Sequence, residues 1–454
     1  MPQKRPTNPT LRIPPQDLEA EQSVLGSLML DKNAVIQVAD FLTSSDFYEG
    51  RNQRVYETIL ELWGHGEPID LLTVSHHLKE KKELDSVGGV DYLTGLVEGV
   101  PTSAHVASYA SIVKEKRIRR DLIQAAGEID ERSFEEKDFE RLLEDAEQRI
   151  FNISQRSRPQ KFLSLKEELP AAYERIEKLH HGEKGGLRGI PTYFTELDNL
   201  LSGLQRSDLI ILGARPSLGK TSLALDMARQ AAVQGGKSIA LFSIEMSQEQ
   251  IIDRLIAGQA QIPLWRLRTG RLNDETDFSM IQQALDELSK AKVFIDDTPS
   301  PTLLQMRSMA RRLQMEHGID LVIVDYLQLI QPRTNSDNVV QQITEISRGL
   351  KALARELNVP VLALSQLSRE VDKRDQKIPR LSDLRDSGSL EQDADVVLFI
   401  YRKERDRLDL TPEEQNTAEI IVAKHRNGPV GSVKLMFDAE RVGFKNLDTR
   451  HSFE

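Results

Sequence analysis

The stretch "ARPSLGKTS", Ala214 to Ser222, carries Gly219, Lys220 and Thr221 in immediate succession. It fits the phosphate-binding pattern G-x-x-x-x-G-K-[ST] everywhere except its first position, where Ala214 stands in place of glycine. Backbone N–H groups at a helix start point at an anion there, and the helix dipole adds positive potential. Lys220 supplies a point charge and Thr221 a hydroxyl suited to Mg²⁺. Arg215, Pro216, Ser217, Leu218, Gly219, Lys220, Thr221 and Ser222 are therefore expected to hold a nucleotide.

Three further residues have the chemistry to act on that nucleotide. "LVIVDY" brings Asp325 to the end of four apolar residues, where nucleotide-binding sheets keep a carboxylate on the Mg²⁺ side. "IALFSIEMS" delivers Glu245, suited to polarise an attacking water. "VLALSQ" ends in Gln366, a neutral amide able to bond a γ-phosphate and register its loss. A single strand-end acid is often only a helix cap, but three polar residues at three strand ends beside one loop weaken that reading. Farther along, "AEIIVAKHRNGP" sets Lys424 and Arg426 two residues apart, so both point to one side of a strand just before Asn427, Gly428 and Pro429 turn the chain. If strands add outward, this strand is far from its own loop, and the two cations are expected to serve a neighbouring copy's nucleotide. An arginine supplied to a γ-phosphoryl group contributes roughly 10³–10⁵ in rate. Such head-to-tail contacts close into a ring or continue as a filament. The plain alternative is that both cations pair with a surface acid or with their own turn.

These residues need a sheet to position them. From Gly186 onward, "DLIILGA", "SIALFSIE", "KVFIDD", "DLVIVDY", "PVLALSQ", "DVVLFIY" and "AEIIVAK" read as continuous apolar strands, most separated by helical patterns. That predicts an α/β domain over 186–454 with a mostly parallel sheet and flanking helices, its ligand beyond the carboxyl ends of the strands. Residues 15–153 read as helices, with Leu18, Val24, Leu25, Leu28 and Met29, and then Val55, Ile59, Leu62 and Trp63, at helical spacing. Residues 1–14 read as a disordered tail, and 154–185 as a hinge, "SQRSRPQKF", followed by a linker helix. Ser164 and Glu167 fit a capping box, and Pro170 is an uncomfortable interior residue that could shift the helix start. The apolar stripe Leu165, Leu169, Ala172, Ile176 and Leu179 packs either on its own domain or on a neighbouring subunit.

Composition narrows the class. At 454 residues the chain exceeds one ordinary core, so two domains are expected. No apolar run approaches a membrane span, and the N-terminus lacks a secretory core. With no cysteine, disulfides, thiolate metal sites and cysteine nucleophiles are excluded, consistent with a reducing cytoplasm. The pairs His76-His77 and His180-His181 lie in polar helical surroundings and read as solvated side chains. A net charge of −11 argues against nucleic acid held over a broad outer surface, so any such contact must be local, on loops or in a channel.

"GARPSLGKT", "FSIEMS", "VDYLQLI", "ALSQLSR", "LRDSGSLEQDAD" and "AKHRNGPVG" occur in the order and spacing of bacterial replicative DNA helicases of the DnaB family, which the chain resembles from about Ile13 to Asn446. "PPQDLEAEQSVLGSLML" and "DLLTVSHHL" resemble that family's N-terminal domain. Tyr193 stands where glycine is expected and Asp386 where glutamate is commoner. The resemblance implies a RecA-like ATPase using ATP and Mg²⁺, assembled as a homohexameric ring that travels 5′ to 3′ on single-stranded DNA and opens replication forks. It implies a helical N-terminal collar, linker helices docked on adjacent subunits, and Arg426 with Lys424 as a finger in trans. It further implies DNA contacts at Arg385, Asp386 and Gly388, and partners among primase, helicase loader and polymerase-complex subunits. Between Leu367 and Asp395 no Phe, Tyr or Trp occurs, while Arg369, Lys373, Arg374, Lys377, Arg380 and Arg385 do. A loop without stacking platforms is expected to follow the phosphate backbone. A filament-forming RecA-like recombinase and an ATP-gated recruitment scaffold are the competing readings.

Overall fold

The computed structural model of the chain describes residues 13–156, 164–181, 188–273, 275–332, 338–374, 376–405 and 415–447. Residues 1–12 of the expected tail and 157–163 of the expected hinge lie outside these, as do the side chains of Glu167, Leu179, His180 and His181. Packing divides the chain into two units, 1–169 and 170–454.

The first unit is helical: α1 (Leu18–Leu30), α2 (Gly50–His65), α3 (Leu71–Glu80), α4 (Leu84–Val87), α5 (Gly89–Glu98), α6 (Val106–Glu135) and α7 (Phe139–Arg156). The spacing read from the sequence builds its core: Val24, Leu25, Leu28, Met29, Val55, Ile59 and Leu62 are all buried together. Trp63 departs from that reading, being 45% exposed at the rim of its helix. Glu21, buried on α1, reaches to the start of α2 and accepts from the N–H groups of Tyr48 (2.6 Å) and Glu49 (3.4 Å) and from Asn52 Nδ2 (2.8 Å). The N-cap of α2 makes no side-chain bond of its own, so Glu21 provides from another helix the acceptor, and the negative charge, that a helix start requires. On the third helix, His77 Nε2 lies 3.2 Å from Glu61 Oε2.

The helix α8 (Leu165–His181) holds Pro170 in its interior and starts ahead of it. Along its expected stripe Leu165, Leu169 and Ile176 are exposed, as is Tyr173.

The second unit runs α9 (Thr195–Leu201), β1 (Leu209–Ala214), α10 (Lys220–Val233), β2 (Ile239–Ser243), α11 (Gln248–Ala260), α12 (Leu264–Thr269), α13 (Thr276–Lys290), β3 (Val293–Asp296), α14 (Leu303–Glu316), β4 (Leu321–Asp325), α15 (Val339–Leu357), β5 (Val361–Gln366), α16 (Gly388–Asp393), β6 (Val396–Tyr401), β7 (Thr417–His425), β8 (Gly431–Asp438) and β9 (Gly443–Asn446). Among the described residues these strands form one nine-stranded sheet, ordered β3-β2-β4-β5-β1-β6-β7-β8-β9. The pairs from β3 through β6 are parallel, and β7, β8 and β9 are antiparallel additions. Alternate residues feed two layers. Ile210, Leu212 and Ala214 of β1 join Leu223, Met227 and Ala231 of α10, while Leu209 and Ile211 join Ile346, Leu350 and Leu353 of α15. Burial on both faces is why these strands read as unbroken apolar runs.

β8 and β9 were not among the expected strands. In β8, Val433, Leu435 and Phe437 are buried while Lys434 and Met436 are exposed, the alternation of a strand covered on one face only. Tyr193 has a φ of 65°, in the left-handed region that accounts for a preference for glycine there. Its N–H donates to Asp198 Oδ2 (2.9 Å), with Thr192 N and Oγ1 on Oδ1 (2.8 Å each), so one buried carboxylate fixes the turn.

Replacing Glu21 by alanine leaves the buried Asn52 amide and the Tyr48 and Glu49 N–H groups ahead of α2 without their acceptor and should destabilise the helical unit by about 2–3 kcal/mol. Amide hydrogen exchange should quicken along α1 and α2 and stay unchanged in β1 and α10; unchanged exchange in α2 would show that the cross-helix cap carries no weight.

Candidate active site

β2, β4, β5 and β1 are consecutive in the sheet and share one direction, so their carboxyl ends emerge side by side. That brings together Glu245 just beyond β2, Asp325 at the end of β4, Gln366 at the end of β5 and the loop after Ala214. The backbone turns out of β1 through Ser217 (φ 65°) and Gly219 (φ 96°) into α10. A Cβ on Gly219 would lie 2.9 Å from the Phe444 ring, so both conformation and space demand glycine. Ala214 is still within β1, in register with Gln366, and so its departure from the glycine pattern involves no strained backbone. The crowded glycine is Gly213, where a Cβ would come within 2.9 Å of Leu367 and Phe399.

Asp325 organises the site. Thr221 Oγ1 donates to its Oδ2 (2.6 Å), and Lys220 Nζ lies 3.2 Å from its Oδ1 and 4.3 Å from the centre of the Tyr326 ring. Asp325 is 1% exposed, and its Oδ1 accepts no hydrogen bond despite the nearby ammonium. An orphaned carboxylate oxygen beside a threonine hydroxyl is an oxygen donor pair suited to a hard divalent cation, so these residues fit Mg²⁺. The N–H groups of Ile244 (2.7 Å) and Glu245 (3.3 Å) both donate to the Asp325 carbonyl, tying the acid-bearing turn to β4. A cavity of about 430 Å³ lies over the loop, bordered by Ser217, Lys220, Thr221, Glu245, Tyr326 and Gln366. That is within the roughly 300–1,000 Å³ usual for small-molecule sites.

Two arginines add to this picture. Arg254 of α11 also borders the cavity, and its Nη1 donates to Ser222 Oγ (3.2 Å). Burial, then the like charge of Arg268, pushes its guanidinium below its ordinary pKa. Sequence reasoning missed it because a lone arginine on a helix is ordinary; only the fold aims it at the loop. Arg215 was expected at the nucleotide. It borders the cavity, but its guanidinium bonds Asp372 Oδ2 through Nε (3.0 Å) and Nη2 (2.6 Å) and the Leu367 carbonyl through Nη1 (2.8 Å).

Gln366 borders this cavity and a second one of about 410 Å³ shared with Arg369 and Asp383. Beyond it, the buried carboxylate of Asp383 accepts from both Arg374 amino groups and from the Arg380 N–H (2.7 Å). Arg374 is thus an internal strut, and Lys373 pairs with Glu370, whereas Arg369 and Arg380 are exposed. Arg385 and Asp386 fall in the 3₁₀ stretch Leu381–Ser387 and Gly388 opens α16, but their side chains lie outside the described residues.

Lys424 and Arg426 are not at this edge of the sheet. β7 runs against β6, with Val396 opposite His425 and Tyr401 opposite Glu419, so its last residues sit at the amino ends of the parallel strands. The length of a six-residue strand, roughly 20 Å, separates them from the loop of the same chain. There Lys424 Nζ donates to the carbonyls of Glu391 (2.6 Å), Ala394 (2.7 Å) and Gln392 (3.3 Å). Arg426 is half exposed, its Nη1 on Asp395 Oδ1 (3.1 Å) and its Nη2 on the Gln392 carbonyl (3.3 Å).

Asp395 also takes the Lys351 ammonium and the Leu209 N–H (2.9 Å). Beside it, burial first and the charge of Asp395 second push Asp208 from the ordinary 3.8 up to about 6, against the pull of Lys351, His425 and Arg426. A raised acid binds its extra proton in the folded state, so its contribution to stability is full below about pH 4 and lost as pH rises through about 6. Asp208→Asn should therefore raise the melting temperature at pH 7.5, by up to about 3 kcal/mol in stability. The gain should fade as pH falls towards 4; a gain independent of pH would assign it to packing instead.

Comparison with known proteins adds the family. The model of the DnaB-like helicase N terminal domain matches residues 13–115, and that of the DnaB-like helicase C terminal domain matches residues 189–446. The chain is 46% identical over 441 residues to the "Replicative DNA helicase DnaB" of Geobacillus stearothermophilus, covering 97% of this chain and 96% of the relative. Identity and coverage are the same for the "Replicative DNA helicase DnaC" of Bacillus subtilis (strain 168). A solved structure described as "The Structure Of A DnaB-Like Replicative Helicase And Its Interactions With Primase" matches with a TM-score of 0.76 and 34% identity, over 95% of this chain and 100% of the other.

Proposed function

The chain belongs to the DnaB-like replicative helicase family, and from that premise we propose how its residues divide the work between two subunits of a ring. It is a replicative DNA helicase, an enzyme that couples nucleotide hydrolysis to the unwinding of DNA. Residues 15–153 form the collar of a homohexamer, 154–185 the hinge and linker helix, and 186–454 the motor. ATP is the nucleotide, with its phosphates on the backbone and side chains of Arg215 to Ser222. Mg²⁺, held by Thr221 and Asp325, neutralises phosphate charge when bound. Lys220 shifts from Asp325 to the phosphates, and Arg254 adds positive charge at the same end of the cavity. Glu245 accepts a proton from the attacking water. Gln366, bordering both the nucleotide cavity and the cavity shared with Arg369 and Asp383, carries loss of the γ-phosphate to the segment before the DNA loop.

The other half of the site comes from the neighbour. The observation that carries this reading is the direction of β7: it leaves Lys424 and Arg426 at the end of the sheet away from their own chain's loop. Cations with no route to their own nucleotide are available to the adjoining one. The exposed stripe of α8 supports a docked linker in the same assembly, since three exposed apolar side chains on one helix need cover. Arg385, Asp386 and Gly388 hold single-stranded DNA by its phosphates in the central channel, with no base reading. Travel is 5′ to 3′, with one strand threaded and the other excluded. The enzyme works at the fork in the cytoplasm, with primase, a loader and a polymerase-complex subunit as partners.

Strand separation on two forks with free ends, one loadable by its 5′ tail and one by its 3′ tail, tests the reading. Unwinding from the 5′-tailed fork alone is expected. ATPase activity indifferent to DNA would instead favour a recruitment scaffold, and open filaments under the electron microscope a recombinase. Glu245→Gln should still bind ATP while turnover falls by roughly 10²–10⁴. Near-normal turnover removes Glu245 as the base. Arg385→Ala should weaken single-strand binding equally across sequences and flatten its salt dependence; a sequence-selective loss would contradict backbone tracking.

A further inference from the structure

The two cations proposed to act on the neighbour are not idle within their own chain. An ammonium has three donors, and Lys424 places three hydrogen bonds on the carbonyls of Glu391, Gln392 and Ala394. Glu391 and Gln392 lie in the last turn of α16, and Ala394 follows its last residue, Asp393. Arg426 shares the Gln392 carbonyl and closes on Asp395, the residue leading into β6. A helix ends in unpaired carbonyls with partial negative charge, so this pair of cations is a C-terminal cap contributed by another strand.

α16 is a strut of six residues, about 9 Å long. Its first residue is Gly388, at the loop that the family uses on DNA, and its far end is the surface on which Lys424 and Arg426 rest. Between them, Leu390 is fully buried in the core layer beside α15 and gives the strut a fulcrum. Asp393 is held to α15 by Ser347 Oγ (2.6 Å). A helix this short turns as one unit about Leu390, so a shift at the loop end reaches the carbonyl end, where the Asp393–Ser347 bond opposes it.

We propose that the carbonyl end of α16, together with Asp395, positions Lys424 and Arg426, so that DNA held by one subunit's loop sets hydrolysis at the neighbouring subunit's nucleotide. The helix end and the neighbour's γ-phosphate are rival anions for the same two cations. DNA on the loop tilts the strut and loosens its hold, and the cations transfer to the phosphate. By linkage, a triphosphate next door that captures the cations must in turn change the loop's affinity for DNA. Asp395 is a positioning residue here, acting through Arg426. The proposal rests on the trans role of Arg426 proposed above.

Two rings with identical inventories separate the possibilities. Each is built from full-length chains fused in tandem so that two kinds of subunit alternate, and each contains three Arg385→Ala and three Arg426→Ala substitutions. In the first ring both substitutions are on the same subunit, so every working finger belongs to a chain with an intact DNA loop. In the second they are on different subunits, so every working finger belongs to a chain with a damaged loop. Single-stranded DNA should accelerate ATP turnover in the first ring and fail to do so in the second. The opposite pattern would mean that each loop governs its own chain's nucleotide, and equal behaviour would mean that loop and finger are not linked; either result overturns the proposal. A ring with Arg426→Ala in every subunit checks the underlying reading separately: undiminished turnover there would remove the finger itself, whatever the two mixed rings do.

Discussion

Strand direction is the constraint from which the rest of this structure follows. Parallel strands joined by crossover helices deliver every carboxyl end to one edge of the sheet, and four adjacent strands use that edge to assemble one site from residues over a hundred positions apart. A strand that reverses direction delivers its end to the opposite edge. β7 reverses, and with it Lys424 and Arg426 leave the chain's own nucleotide. No rotamer spans a distance of roughly six strand residues. Residues at the two edges can meet only between two copies, and head-to-tail repetition of such a contact closes into a ring when the rotation allows it.

At the near edge, one buried carboxylate prepares the site before any phosphate arrives. Asp325 holds Thr221 by a short hydrogen bond and Lys220 by charge, so both side chains are ordered at the start of the loop's helix. The arrangement also has a cost built into it. A Lys220 drawn away from Asp325 would leave a buried acid without its cation, which is unfavourable. The unbonded Oδ1 of Asp325 makes a divalent cation a natural compensation. At the far edge Asp395 does the same for Lys351 and Arg426. Each edge thus has a nearly inaccessible aspartate that holds a lysine, Lys220 on Asp325 and Lys351 on Asp395.

The parts of this arrangement that depend on local pattern were legible in the sequence. The unbroken apolar runs of β1, β2, β4, β5 and β6, the glycine of the loop and the polar residues at or just beyond the ends of β2, β4 and β5 could be found by inspection, because burial on both faces and a left-handed turn leave narrow choices of residue. Helical spacing likewise found Val24, Leu25 and Leu28. What depends on strand order was not legible. Nothing in "AKHRNG" says that Lys424 meets the end of a helix formed by residues 388–393, since that contact exists only because β7 turns back on β6. Arg254 was hidden for the same reason. β8 was hidden for a different one: its alternation of Val433, Leu435 and Phe437 with exposed residues marks a strand covered on one face, a pattern weaker than the continuous runs beside it. The basic loop shows the reverse error. Composition counted Arg374 among its free charges, whereas the fold commits that side chain to Asp383.

An acidic chain meets a polyanion against its own net charge. The chain's net charge is −11, and among the described residues of the basic loop Arg374 is bound to Asp383 and Lys373 to Glu370. Contacts with a phosphate backbone are individually weak and vary with salt. Repeated around a ring, such contacts would be made at high effective concentration after the first, so that an assembly would grip where one subunit would not. Weakness per subunit is then a requirement of movement. A loop that held its phosphate tightly could not release it once per hydrolytic step, and a chain with a broad basic surface would bind DNA on its outside, where no step can advance it.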